Sequence, residues 1–121
     1  MSEAEERGGA VLVLTTTADE ASASRLARTL VEEGLAACVT RTAVRSVYRW
    51  EEGAAPAAGA KVCEEDEVLL LVKTAASRVV ELEARILELH PYSCPEVIRI
   101  APEHVEAGYL SWLISATTGR P

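Results

Sequence analysis

The fold turns on the stretch His90-Pro91-Tyr92-Ser93-Cys94-Pro95-Glu96-Val97-Ile98. Proline disfavours the helical region for the residue before it, so a helix arriving from the N-terminal side ends at about His90. Upstream, Val79, Leu82, Ile86 and Leu89 recur at intervals of three, four and three and make one apolar stripe, with Ser77 placed to cap that helix. Downstream, Pro95 stiffens the approach to Val97-Ile98-Arg99-Ile100, read as a short strand. A His, a Tyr, a Cys and a Glu fall within this one turn-bounded stretch, and nothing else in the chain is as dense in groups that could do chemistry.

Earlier elements complete the pattern. Ala10-Val11-Leu12-Val13-Leu14 is a continuous apolar run suited to a central strand buried on both faces. Thr17-Ala18-Asp19-Glu20 fits a capping box, with Thr17 capping and Glu20 reaching back. The helix that follows carries Ala23, Leu26, Ala27, Leu30 and Val31 on one face, and Gly34 suits a left-handed C-terminal cap. Leu35 to Trp50 is a second extended segment, strongest in β-branched and aromatic residues between Arg45 and Trp50. Glu51 to Ala60, with Pro56, two glycines and five alanines, reads as a long inter-strand loop with a mobile tip. Val62 to Thr74 is the third strand, centred on Val68-Leu69-Leu70-Leu71-Val72. The acidic cluster Glu64 to Glu67 before that centre reads as a solvated edge that discourages strand pairing. Tyr109 to Thr118 closes the chain as a short helix with Leu110, Leu113 and Ile114 inward.

The order β-α-β-β-α-β is the split βαβ, or ferredoxin-like, arrangement of an α+β subunit. Right-handed crossovers place both helices on one face of a four-stranded sheet. The other face is then bare, although the central strands are apolar on both faces and the terminal helix is too short to cover it. Burial against further copies of the chain follows. In the 121-residue sequence a disordered acidic tail over residues 1–9 precedes a single domain over residues 10–118.

Composition narrows the function. The net charge of −7 repels phosphate backbones and argues against nucleic acid. No apolar run approaches the roughly 20 residues that span a bilayer. The N-terminal stretch lacks the apolar centre of a signal peptide, which places the protein in the cytoplasm. Cys38, Cys63 and Cys94 are an odd, sparse set without a CxxC pair, so they read as free thiols or as occasional metal ligands rather than a disulfide framework.

Several residues carry two readings each. His90 either answers the last carbonyls of its helix or joins Cys94 and Cys38 as a Cys/His metal site. His104 lies in an irregular, solvated segment. Tyr48, Trp50, Tyr92, Tyr109 and Trp112 are all the aromatics of a chain without phenylalanine. They either pack at subunit contacts or wall a small-ligand pocket between subunits. Glu67, Lys73 and Glu96 either pair at such contacts or anchor a ligand in the same pocket.

Four blocks give the chain a family likeness: Leu30 to Val39, Ser46 to Trp50, Glu67 to Thr74, and His90-Pro91-Tyr92 with Pro95-Glu96-Val97-Ile98 followed by Tyr109 to Trp112. Together they resemble the CutA divalent-ion tolerance proteins. The resemblance implies a tight homotrimer of ferredoxin-like subunits, no enzymatic activity, and copper or another divalent cation as the associated metal. The same architecture occurs in PII signalling trimers, so a small effector bound between subunits is the alternative, although no glycine-rich phosphate loop is present. The chain departs from the family pattern at Thr15, where a cysteine is offered as a copper ligand, and at Leu89, where a second histidine precedes the His-Pro-Tyr. The 51–60 loop is longer than usual and the Pro102–Tyr109 spacing shorter. Acylphosphatases share the topology, but Thr15 to Asp19 contains neither the Arg nor the Gly their chemistry needs. An RNA-binding module would show aromatics on the first strand and a basic face.

Overall fold

The computed structural model describes residues 9–50 and 61–117. Residues 1–8 of the expected tail over residues 1–9, the loop over residues 51–60 and the domain end at Thr118 lie outside the described residues. The elements run β1 (Ala10–Thr17), α1 (Glu20–Glu32), β2 (Cys38–Trp50), β3 (Lys61–Ala75), a 3-10 turn (Ala76–Arg78), α2 (Val79–Leu89), β4 (Ile98–Ile100) and α3 (Ala107–Thr117). The four strands form one sheet in the order β2-β3-β1-β4 with every neighbouring pair antiparallel. This is the expected split βαβ order.

Alternation along the central strands sorts their side chains. Val11 and Val13 of β1 and Val68, Leu70 and Val72 of β3 face the helices and are buried with Leu26, Leu30, Val79, Leu82 and Ile86. Their neighbours along the strands, Leu12, Leu14, Leu69 and Leu71, point the other way and are only half-buried. Ile98 and Ile100 of β4, paired with Leu14 and Leu12, extend the same face and are 49% and 42% exposed. Only one end of this face is covered: Leu113 of α3 packs against Ala10, Ala37 and Ala75. The apolar runs are therefore continuous because they serve two faces, one closed by helices and one largely open.

Polar cross-links tie the helical layer down. Arg85 of α2 grips Glu33 through two bonds of 2.8 Å, and Arg99 of β4 grips Glu83 at 2.8 and 2.9 Å. The α1 C-terminus closes as expected on Gly34, at φ +73°, where the left-handed conformation costs glycine little. The Thr74 hydroxyl, fully buried, donates to the Leu35 carbonyl at 2.7 Å and pins the following turn to β3.

Several local expectations are corrected. The cap of α1 is Asp19, whose carboxylate accepts from the Ser22 backbone N–H at 2.8 Å. Thr17 still belongs to β1 and is fully buried, its hydroxyl donating to the Asp19 carbonyl, and Glu20 pairs instead with Arg41 at 2.7 Å. Ser77 lies inside the 3-10 turn, and α2 begins without a side-chain cap. Val31 and Ile114 are 43% and 40% exposed rather than inward. The acidic cluster is largely exposed and keeps one free edge, since β1 pairs with β3 only from Val68 onward, but its other edge is paired with β2. Glu64 and Asp66 sit in β3 opposite Val47 and Arg45 of β2, and both bond the Arg45 guanidinium, at 3.4 and 2.9 Å.

Candidate functional site

The β2–β3 hairpin outruns the rest of the sheet. β1 pairs with β3 only as far as Val68, whereas β2 stays paired to Lys61, so Val44–Trp50 and Lys61–Glu67 form a two-stranded ribbon. The chain leaving α2 passes beside this ribbon, and between them lies a cleft of about 600 Å3. Tyr48, Trp50, Glu65 and Glu67 line it from the ribbon, Tyr92, Cys94 and Glu96 from the loop, and Thr16 from the end of β1.

His90 sets the loop in place. It is the C-cap of α2, extended at φ −73° and ψ 133° as its following proline requires, and its N–H still bonds the Ile86 carbonyl. The ring is buried. Its Nδ1 accepts the Tyr92 backbone N–H at 3.1 Å and its Nε2 meets the Thr16 carbonyl at 2.7 Å. One neutral tautomer satisfies both contacts, with Nε2–H donating and Nδ1 accepting. The Tyr92 ring lies 4.9 Å from the imidazole at a 55° tilt, and its hydroxyl donates to Glu67 at 2.8 Å. Thus β1, α2, the loop and the ribbon are joined through one histidine and one tyrosine.

Charge in the cleft has one sign. Glu65, Glu67 and Glu96 line it, and none of its described lining residues is basic. The carboxylates act on the phenols. The Glu65 hydrogen bond, with burial and negative neighbours behind it, pushes Tyr48 up to about 12. Burial, then the Glu67 hydrogen bond, pushes Tyr92 further above the ordinary tyrosine value. A tyrosinate titration followed in the near ultraviolet is expected to show Tyr48 ionising near pH 12, with Glu65→Gln moving that step down towards 10. A raised folded value means these hydroxyls contribute stability below pH 10 and lose that contribution as pH climbs through the folded values. A Tyr48 step that stays put in Glu65→Gln would break the assigned pairing.

The residues singled out from the sequence divide between two ends of the sheet. Tyr48, Trp50, Glu67, Tyr92, Cys94 and Glu96 meet at the cleft. Cys38 and Lys73 face each other in register at the far end, with the Lys73 ammonium 4.0 Å from the Cys38 sulfur and 3.1 Å from the Thr40 hydroxyl. Tyr109 joins Lys73 there in lining a smaller hollow of about 200 Å3, and Trp112 stacks against Tyr109 at 5.4 Å. Leu12, level with Lys73 and Cys38, lies four residues along β1 from Thr16, a separation of roughly 13 Å at the rise of a strand. One subunit therefore does not gather His90, Cys38 and Cys94. Among the described residues no three His, Cys, Asp or Glu side chains are grouped to hold an ion. Thr15 is fully buried on the helix-facing side of β1, so it adds no donor to the cleft. A resident copper or zinc centre does not fit this donor set within one chain. Glu65, which the sequence shows only as part of an acidic cluster, reaches the cleft through register, which sets it opposite Ser46.

These features define a class: a four-stranded antiparallel α+β subunit with one helix-covered face, one largely open apolar face, and an acidic, aromatic cleft under a projecting ribbon. The model of the family described as CutA1 divalent ion tolerance protein matches residues 11–116, and the chain belongs to that family. The divalent-cation tolerance protein CutA of Pyrococcus horikoshii is 39% identical over 107 residues, 88% of this chain and 97% of that protein. The Thermus thermophilus protein of the same name is 39% identical over 103 residues, 84% and 92% of the two chains. The crystal structure of P. horikoshii CutA1 matches with a TM-score of 0.81 at 38% identity, covering 90% of this chain and 99% of the other. The solved structure of the Archaeoglobus fulgidus CutA, described as a periplasmic divalent cation tolerance protein, gives a TM-score of 0.79 at 26% identity, covering 89% of this chain and 98% of the other.

Proposed function

We propose that the chain acts as a non-enzymatic homotrimer in divalent-cation tolerance, copper among the cations concerned. The observation that carries this reading is the open sheet face. Leu12, Leu14, Leu69, Leu71, Ile98 and Ile100 form a contiguous apolar surface, in a chain whose relatives bear divalent-cation tolerance names. Further copies would remove it from water, at about 25 cal/mol per Å2 of apolar area. Tyr109 and Trp112, 41% and 48% exposed at the rim of α3, fit the same contacts.

Cation binding in this reading falls to donors that subunits bring together. Cys94 is exposed at the cleft and Cys38 half-buried beside Lys73. His90 joins them only by surrendering one of its two hydrogen bonds. Cytoplasmic residence is supported by three unpaired cysteines. The effector-binding alternative draws no support from the relatives' names.

Sedimentation at micromolar dilution, with Cu(II), Cu(I) and Zn(II) titrations of the parent, Cys38→Ser and His90→Ala, tests the proposal. A three-chain species that binds metal, and binds it more weakly in the variants, is expected. A well-folded single chain sinks the assembly, and undiminished binding in both variants removes the two ligands.

A further inference from the structure

We propose that the cleft between the β2–β3 ribbon and the His90–Glu96 loop binds an organic cation, a ligand carrying a substituted ammonium group. The inference goes beyond divalent-cation tolerance and needs no metal.

Size comes first. A cleft of about 600 Å3 lies within the range of roughly 300–1,000 Å3 that holds small organic ligands, and far exceeds what one metal ion fills. The donors agree, since no three ligating side chains among the described residues are grouped around a point. Charge then fixes the sign of the ligand. Glu65, Glu67 and Glu96 line the cleft with no basic residue among its described lining, so the field concentrated there attracts cations and rejects phosphates and carboxylates.

The aromatic lining narrows the chemistry further. Tyr48, Trp50 and Tyr92 share the cleft with the three carboxylates, and aromatic faces attract ammonium groups most where water is partly excluded. The two tyrosines are held for this task. Tyr92 donates its hydroxyl to Glu67 and leans on the His90 ring, and Tyr48 donates to Glu65. Each of these carboxylates has a second oxygen with which to accept a ligand N–H. Both phenols hold their protons well above neutrality, so a ligand meets them as uncharged hydroxyls and aromatic faces.

Calorimetric titration of the full chain with spermidine and with tetramethylammonium, against sodium chloride at matched ionic strength and against Zn(II), tests the site. Spermidine offers both charge and N–H donors, tetramethylammonium charge alone. Saturable binding of either ammonium probe is expected, weakened about tenfold in Glu67→Gln, the loss of roughly one charged contact. A comparable loss is expected in Trp50→Ala. Trp50 is 48% exposed, so this second variant keeps the fold, which far-ultraviolet circular dichroism checks. The proposal is overturned if neither ammonium probe binds saturably, if both variants bind as the parent does, if sodium at equal ionic strength displaces the probe completely, or if Zn(II) alone occupies the cleft. None of these outcomes alters the sedimentation result on which the trimer stands.

Discussion

Leu70→Glu is expected to leave no folded subunit, whereas Leu71→Glu, one residue along the same strand, is expected to leave a folded subunit that no longer assembles. Leu70 is fully buried beneath the helices among Val13, Leu26 and Leu82. A carboxylate there would be unpaired and dry, costing several kcal/mol, against a typical domain stability of about 5–15 kcal/mol. Leu71 points to the open face opposite Leu14 and Thr40, where a charge in the isolated chain reaches water. Between subunits the same charge would be trapped. Circular dichroism and sedimentation on the two variants read the outcomes separately. If Leu71→Glu still forms the parent assembly, the open face is not what joins the copies.

His90→Ala is expected to destabilise the metal-free protein by about 2–4 kcal/mol, the range for removing a large buried side chain together with a hydrogen bond to a buried group. The Thr16 carbonyl would lose its partner, and Tyr92 would lose both the acceptor of its N–H and the ring it leans on. Urea unfolding in the presence of a chelator, with an unchanged slope, measures this directly. A histidine kept only as a cation ligand would show no such loss once cations are removed. A cost below about 0.5 kcal/mol, the scale of ordinary surface changes, would end the architectural role assigned here.

The sequence made legible what is decided locally. Gly34 and the His90-Pro91 pair stop their helices by backbone sterics alone, and the stripe of Val79, Leu82 and Ile86 is helical spacing read directly. The open face could be inferred because Leu69 and Leu71 alternate with Leu70 in a run too apolar for one buried side. Register was not legible. It sets Cys38 beside Lys73 at one end of the sheet, while His90 meets the Thr16 carbonyl at the other, and it turns the acidic cluster into partners for Arg45 and Tyr48. The cap of α1 went to Asp19 because β1 runs three residues further than its apolar run, carrying Thr17 into the core. Which residues share the cleft is a tertiary fact: the ribbon and the loop meet in space although more than twenty residues separate Glu67 from Tyr92 in the chain.

The fully buried core contains leucine, isoleucine, valine, alanine and threonine, and no aromatic ring. All five chromophores of the chain stand at the cleft or on α3, none of them fully enclosed. Intrinsic fluorescence and near-ultraviolet dichroism accordingly read the hydrophobic interior only indirectly, through the cooperative loss of the whole fold. Below that transition, a signal recorded on tryptophan follows ligands and neighbours coming and going rather than the aliphatic centre beneath.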